Sequence, residues 1–574
     1  MVVASSQRRR SLARRRLIFV GAVALIVGIV VVVVASLGGR PVEELRAQRF
    51  AAAWVRGDYA AMHAELSAAA RRARPLADFE ADYRQAAATA TATRVQAGAV
   101  GKLKDGIVAV PMTVATRVFG TVRATLLLPF TGDDEARIAW SDNLTFPGVQ
   151  RGQRLDRSTQ LPRRADILAR DGTPLAQGPD RTSPLGDAAA AIAGALGPAP
   201  AERVDELRAQ GVPADARVGL SGLERVFDAQ LAGKPGGTLR AGTQLLAATL
   251  PRPAPAVRTT IDPDIQRAAV AALGGRFGGV AVLRPRSGAI LGLAGVAFSG
   301  LQPPGSTFKM ITLSGALEAH LAGPHSSYPV QTSATIEGVK LENANGESCG
   351  GTLRLSFARS CNSVFAPLGA RLGPQRLVKI AEDFGFNQDL GIPGAATSTI
   401  PSADEIGDPL AVGSSAIGQG RVQATALQMA WVAATIADGG LRTQLGLRPV
   451  DRPVRRRVLR ASTARTVGAY MESVVQIGTG IAAAIPGVRV AGKTGTAELK
   501  DTTTPDCTPT DQVPDCPPVV PNDPTDTDAW FAAYAPAKRP RIAVGVLLIA
   551  NGAGGATAAP VAREVLIAGL KATG

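Results

Sequence analysis

Hydrophobic and polar positions alternate differently in successive parts of the chain. Leu17 to Leu37 is a nearly unbroken apolar run without a charge, long enough to cross a bilayer as a helix. Glu43 to Ala60 places Phe50, Ala53 and Trp54 at helical spacing, and Tyr59 to Arg72 predicts a second helix. Val108, Val110, Met112 and Val114 then alternate as in a half-buried strand, and Val122 to Phe130 is a second strand pattern. Asp171-Gly172 is a hairpin turn between apolar runs, and the proline-rich Pro251 to Pro255 reads as a boundary.

A clearer signal follows. Gly279-Val280-Ala281-Val282-Leu283 and Ala289-Ile290-Leu291-Gly292-Leu293 flank a five-residue turn and predict a hairpin. Pro303, Pro304 and Gly305 cannot continue a helix, so the helical pattern Met310 to Ala319 should begin near Ser306. Strand patterns return at 488–498, 528–535 and 541–549, and a last helix is expected from about Ala558 to Leu570.

At 574 residues the chain is too long for one core, and two or three folded domains are expected. Hydrophobic residues make up 46% and charged residues 19%, a globular composition. The net charge of +16 is uneven: Arg8, Arg9, Arg10, Arg14, Arg15 and Arg16 precede the apolar run with no acid among them. By the positive-inside rule these arginines keep the N-terminus in the cytoplasm. A cleaved signal peptide is the competing reading, but its apolar core is normally shorter. The expected layout is a cytoplasmic tail at 1–16, a transmembrane helix at 17–37, and everything from about Arg40 outside the membrane. The basic balance carries no nucleic-acid signature; a generally arginine-rich composition is the plainer cause, and proximity to anionic lipid or cell-wall polymer is a second.

The candidate chemistry lies in three short motifs. Ser306 and Lys309 form S-x-x-K, one turn apart on the same face at a helix start. Ser360-Cys361-Asn362 forms S-x-N, and Lys493-Thr494-Gly495-Thr496 forms K-T-G-T. A serine hydroxyl needs a neighbouring base to become a nucleophile, and a desolvated lysine can be that base. Any one motif recurs by chance, but the ordered set is a signature of serine acyl-enzymes.

With these motifs the sequence resembles the class B penicillin-binding proteins, the serine D,D-transpeptidases that cross-link peptidoglycan. Gly418-Gln419-Gly420 before Thr425 to Ala430, and Asp528-Ala529-Trp530-Phe531 after K-T-G-T, extend the likeness. Arg164 to Ala176 and Gly219-Leu220-Ser221-Gly222-Leu223-Glu224 resemble pedestal motifs, in which the glutamate is structural. Trp54-Val55-Arg56-Gly57-Asp58 and Phe146-Pro147-Gly148 resemble the N-terminal domain of methicillin-resistance-type members.

The resemblance implies a multidomain α+β protein. A cone-shaped nuclear-transport-factor-2-like domain would occupy 41–150 and a pedestal, or dimerisation, domain 151–258. A transpeptidase domain at 259–574 would join its early hairpin and late strands in one antiparallel sheet flanked by helices. No glycosyltransferase module is visible in 41–258, which favours class B over a bifunctional enzyme.

Family roles carry over motif by motif. Ser306 would be the nucleophile and Lys309 its base. Ser360 would relay a proton, Asn362 would hold Lys309, and Lys493 would add positive potential. Thr494, Gly495 and Thr496 would bind the extended substrate on an edge strand. The backbone N–H groups of Ser306 and Thr496 would form the oxyanion hole. The substrates would be D-Ala-D-Ala stem peptides, β-lactams would trap Ser306, and no cofactor or metal is implied. A polytopic cell-wall glycosyltransferase is the partner that class B membership implies. A β-lactam hydrolase or sensor shares the acylation chemistry, and a catalytically idle wall scaffold is a third reading.

Three histidines, His63, His320 and His325, form no triad or zinc spacing. Cys507 and Cys516 lie in a Pro- and Asp-rich insertion from Asp501 to Thr527. Outside the cytoplasm a bridge between them would staple a loop that lacks a core. Cys349 and Cys361 are the other pairing, against a free buried thiol at Cys361.

Overall fold

The computed structural model describes residues 40–133, 135–498 and 527–574. The apolar run at 17–37 and the cysteines at 507 and 516 lie outside these residues. Among the described residues, no helix is long and apolar enough to cross a membrane. The chain forms two compact units, one made of residues up to Pro162, Ala199–Ala216 and Lys234–Pro253, and the other of the remainder. The segment 151–258 therefore contributes to both.

In the first unit, α1 (Val42–Arg56) buries Ala47, Phe50, Ala51, Ala53 and Trp54 along one face. It stops at Gly57, whose left-handed φ of 71° closes the C-terminus. The helix expected over 59–72 is instead two short helices, Tyr59–Ala64 and Ala68–Ala73. Leu66 bridges to Ile138 between them, and Ser67 caps the second by accepting from the Ala70 N–H. Tertiary pairing overrides local helical pattern there. After α2 (Leu76–Ala90), strands β1 (Ala92–Ala97), β2 (Ile107–Thr116) and β3 (Thr121–Pro129) form an antiparallel sheet with β2 in the middle. Val108, Val110 and Met112 are buried with α1 and with Phe79 and Tyr83 of α2. A second sheet, from β4 (Leu155–Gln160), β5 (Gly236–Ala241) and β6 (Gln244–Thr249), adds Leu239 and Ala241 to a smaller core around Val114, Phe119 and Phe146.

The second unit is organised on a five-stranded antiparallel sheet. Helix α3 (Pro263–Leu273) precedes the hairpin β7 (Gly278–Arg284) and β8 (Ala289–Gly295). Helices α4 (Lys309–Glu318), α5 (Asn362–Leu372), α6 (Ala426–Ala437) and α7 (Ala461–Ile477) follow. The chain then returns through β9 (Ala491–Glu498), β10 (Thr527–Ala535) and β11 (Ile542–Leu548), and ends on α8 (Ala558–Ala572). The order across the sheet is β8-β7-β11-β10-β9, so β9 is at one edge. Successive residues of a strand point to opposite faces. Ala281, Leu283, Ala532 and Leu547 accordingly pack with α6, and Val280, Val282, Phe531 and Val546 pack with α3 and α8. The two faces hold the ends of the unit together across more than two hundred residues.

An ion-pair cluster lies in the part of this unit that precedes α3 in sequence. Glu224 is 1% exposed, and its carboxylate accepts from Arg164 at 2.7 Å and from Arg181 at 2.6 Å. Arg164 also pairs with Asp228 at 2.9 Å. Removing one partner of a buried ion pair leaves the other charge desolvated and unmatched. Glu224→Ala should therefore destabilise the protein by about 3 kcal/mol, read as a lowered urea midpoint. A change below about 0.5 kcal/mol would show that the cluster is surface-like.

Candidate active site

Residues 305–308 form a single 3₁₀ turn that leads directly into α4. The turn begins on Gly305, whose φ is +50° and whose added Cβ would lie 2.6 Å from the Thr496 carbonyl oxygen. Only glycine lets the turn approach β9 this closely. Ser306 is thereby set beside the sheet edge, half-buried, with Lys309 one turn on and fully buried.

The Lys309 amine is the hub. Its Nζ lies 2.9 Å from Ser306 Oγ, 2.7 Å from the Ser360 carbonyl oxygen, 3.2 Å from Ser360 Oγ and 2.6 Å from Asn362 Oδ1. The Asn362 Nδ2 donates to the Glu342 carbonyl at 2.8 Å, which fixes Oδ1 as the atom facing the lysine. Lys493 Nζ donates to Ser360 Oγ at 2.9 Å and to the Thr494 carbonyl at 3.0 Å. Ser306, Lys309, Ser360, Asn362 and Lys493 thus meet in one connected group. Thr494, Gly495 and Thr496 lie beside them on β9.

Ser360 reaches Lys309 with two atoms because its backbone is left-handed, with φ of 64°. This conformation is uncommon for serine and turns both the carbonyl and the hydroxyl inward. The next residue, Cys361, is bridged to Cys349, with Cα atoms 5.4 Å apart. The bridge anchors the middle of the S-x-N motif at the start of α5. His320 and His325 are exposed.

Burial pushes the Lys309 amine well below the ordinary lysine value, and the charge of Lys493 pushes it further. The ring of Phe365, centred 5.9 Å from its Nζ, is part of the apolar surround. Burial likewise lowers Lys493 to about 7, beside the Phe357 ring centred at 5.6 Å. A neutral amine has two N–H groups and one lone pair. The Ser360 carbonyl and Asn362 Oδ1 can only accept, so they take the two N–H groups. The lone pair then faces the Ser306 hydroxyl at 2.9 Å, the geometry of a general base.

Comparison with known proteins gives the family. The family model of the penicillin-binding protein transpeptidase domain matches residues 278–567, and that of the penicillin-binding protein dimerisation domain matches 170–242. The chain belongs to the penicillin-binding protein transpeptidase family, and the two domains together make it a class B member. It is similar to the peptidoglycan D,D-transpeptidase PbpA of Mycolicibacterium smegmatis, with 32% identity over 55% of this chain and 72% of that protein. Among solved structures it resembles the D,D-transpeptidase domain of a peptidoglycan glycosyltransferase from Eggerthella lenta. That match has TM-score 0.56 and 28% identity, covering 72% of this chain and 99% of the other. It also resembles the ceftriaxone acyl-enzyme of penicillin-binding protein A from M. tuberculosis, with TM-score 0.55 and 27% identity, covering 71% and 98%.

Opposite signs of titration give a testable pH profile. Below the pKa of Lys309 the amine is charged and cannot accept a proton, so acylation rises with pH as that proton leaves. Lys493 carries its charge below about 7 and loses it above, so acylation then falls with a midpoint near 7. Lys493→Met should remove the falling limb and move the rising limb to higher pH, because the neighbour that depresses Lys309 is gone. A profile of the variant identical in shape to the wild type would contradict this assignment.

Proposed function

We propose that this protein is a peptidoglycan D,D-transpeptidase that forms an acyl-enzyme on Ser306. The observation that carries the reading is the Lys309 amine, buried among uncharged acceptors with its lone pair toward the Ser306 hydroxyl. Lys309 takes the hydroxyl proton as Ser306 Oγ attacks the carbonyl between the last two D-alanines of a donor stem peptide. The backbone N–H groups of Ser306 and Thr496 stabilise the oxyanion, each such donor being worth about 3 kcal/mol in the transition state. Ser360 carries the proton from Lys309 to the departing D-alanine amine, and Lys493 holds the Ser360 hydroxyl in line. An amine of a second stem peptide then attacks the ester, releases Ser306 and leaves a new amide cross-link. The donor binds extended along β9, where main-chain pairing with an edge strand is available.

The location follows the same reading. Residues 17–37 anchor the protein in the cell membrane, with residues 1–16 cytoplasmic and the active site outside. The helix-and-sheet unit at 41–150 acts as a nuclear-transport-factor-2-like spacer, and 151–258 as the pedestal. A Cys507–Cys516 bridge within the 501–527 insertion belongs to the same proposal. A polytopic glycosyltransferase supplies the glycan strands to be cross-linked. β-Lactams acylate Ser306 because they mimic the D-Ala-D-Ala bond.

Incubation of the full-length protein with a fluorescent penicillin tests the reading. The wild type should be labelled and Ser306→Ala should not. Lys309→Met should slow labelling by about 10²- to 10⁴-fold, the range for loss of a general base. Label retained by Ser306→Ala, or an undiminished rate in Lys309→Met, would overturn it. Rapid turnover of a chromogenic cephalosporin would favour a hydrolase instead.

A further inference from the structure

The steps above make no use of Asn343, and the three motifs do not include it. It follows the hairpin Ser333–Ile336 and Val339–Glu342, and it is 5% exposed. Each group of its side-chain amide has a partner. Nδ2 donates to the Gln331 carbonyl at 2.8 Å and to the Glu347 carbonyl at 2.9 Å, and Oδ1 accepts from the Ser363 N–H at 2.9 Å. Two carbonyl oxygens can only face the NH2 group, so the amide has one orientation. The far end of the hairpin is seated as well: Ile336 is buried, and the Glu337 carboxylate accepts from the Leu410 N–H at 3.3 Å.

Ser363 is the second residue of α5, and its N–H is one of the donors that the first turn of a helix leaves without an intrahelical partner. A serine, threonine, aspartate or asparagine at the N-cap commonly accepts such a proton. Here the N-cap is Cys361, whose sulfur is in the bridge to Cys349 and which makes no side-chain cap bond. Asn343 supplies the missing acceptor from 20 residues away. One residue before each of this pair, Asn362 Nδ2 donates to the Glu342 carbonyl at 2.8 Å, while Asn362 Oδ1 accepts from Lys309 at 2.6 Å. Residues 342–343 and 362–363 are therefore joined by adjacent hydrogen bonds of unequal exposure. The bond from Asn362 to Glu342 is exposed, and water competes for it. The bond from Ser363 to Asn343 is buried, and it holds the two segments in register.

We propose that Asn343 is a positioning residue for acylation that acts through Asn362. It fixes the Glu342 carbonyl beside the start of α5, and that carbonyl keeps the Asn362 amide turned with Oδ1 toward Lys309. Lys309 then has a fixed acceptor for one N–H group, and its lone pair stays on Ser306 Oγ. Without the Asn343 amide, the Ser363 N–H and the Gln331 and Glu347 carbonyls lose their buried partner. The Glu342 carbonyl is then free to shift, the Asn362 amide rotates, and the lone pair is no longer held on one hydroxyl. Asn343 is buried with its groups taken, so the effect falls on the acylation rate rather than on binding. The inference rests on the transpeptidase reading and adds a residue outside the three motifs.

The test compares full-length wild type, Asn343→Ala, Asn362→Ala and the double variant. Acylation of Ser306 by a penicillin is followed over a range of concentrations, which separates the noncovalent dissociation constant from the limiting acylation rate. Asn343→Ala should lower the limiting rate about tenfold, the scale of one or two hydrogen bonds, and leave the dissociation constant within about twofold. In the Asn362→Ala background the same substitution should change the limiting rate less than about twofold, because a residue that acts through another is not additive with it. A residue that only supports the fold would cost the same in both backgrounds. Asn343→Asp keeps the shape and the acceptor for Ser363 but loses the NH2 donor, and it serves where alanine does not fold. Its limiting rate should fall by about threefold or more, again only when Asn362 is present. An unchanged limiting rate, a loss confined to the dissociation constant, or equal losses in the two backgrounds would overturn the proposal. Loss of cooperative urea unfolding in both Asn343 variants would also overturn it, in favour of a folding role. If the wild type acylates at Ser306 and any of these results appears, only the Asn343 assignment falls. If the wild type does not acylate, the transpeptidase reading falls and this inference with it.

Discussion

The site depends on a lysine amine held away from water among acceptors that carry no charge. An ammonium in that setting has lost its hydration and gained no carboxylate in exchange, so its proton is easily given up. A second buried lysine nearby makes the charged form costlier still. Acceptors at 2.6 and 2.7 Å turn the resulting lone pair toward one hydroxyl. Burial and Lys493 neutralise the amine, and the two acceptors orient it; the orientation fails if Asn362 or the Ser360 carbonyl moves.

Three separate parts of the scaffold hold those atoms. The 3₁₀ turn at 305–308 brings Ser306 against β9 and delivers Lys309 one turn later. The left-handed Ser360, followed by the bridged Cys361, presents a carbonyl and a hydroxyl from one residue. The edge strand β9 contributes Lys493 to one side and Thr494 and Thr496 to the other. The sheet that carries β9 is closed by β7 and β11, whose distant positions in sequence make the site a product of the whole unit rather than of any local segment.

Much of this is legible in the sequence. The hairpin at 279–293 and the late strands show because their inward and outward residues alternate cleanly, and the helix start at Ser306 shows because Pro303, Pro304 and Gly305 interrupt what precedes it. The motif residues show by type and spacing. Local pattern does not encode the rest. The break at Leu66 arises from pairing with Ile138, seventy-two residues away. Ser360 gives no hint in its side chain of a left-handed backbone. Asn343 lies in a polar stretch that reads as an ordinary loop. Its proximity to Ser363 exists only once the 333–342 hairpin has packed beside α5.

The charge state of Lys309 can be observed directly. Nitrogen NMR of the lysine side chains in full-length protein, with the Lys309 signal assigned by its loss in Lys309→Arg, follows each amine through a pH titration. Lys309 should titrate well below the exposed lysines and be neutral when they are charged. A Lys309 signal that titrates together with the exposed lysines would contradict the account, because a charged amine has no lone pair with which to take the Ser306 proton.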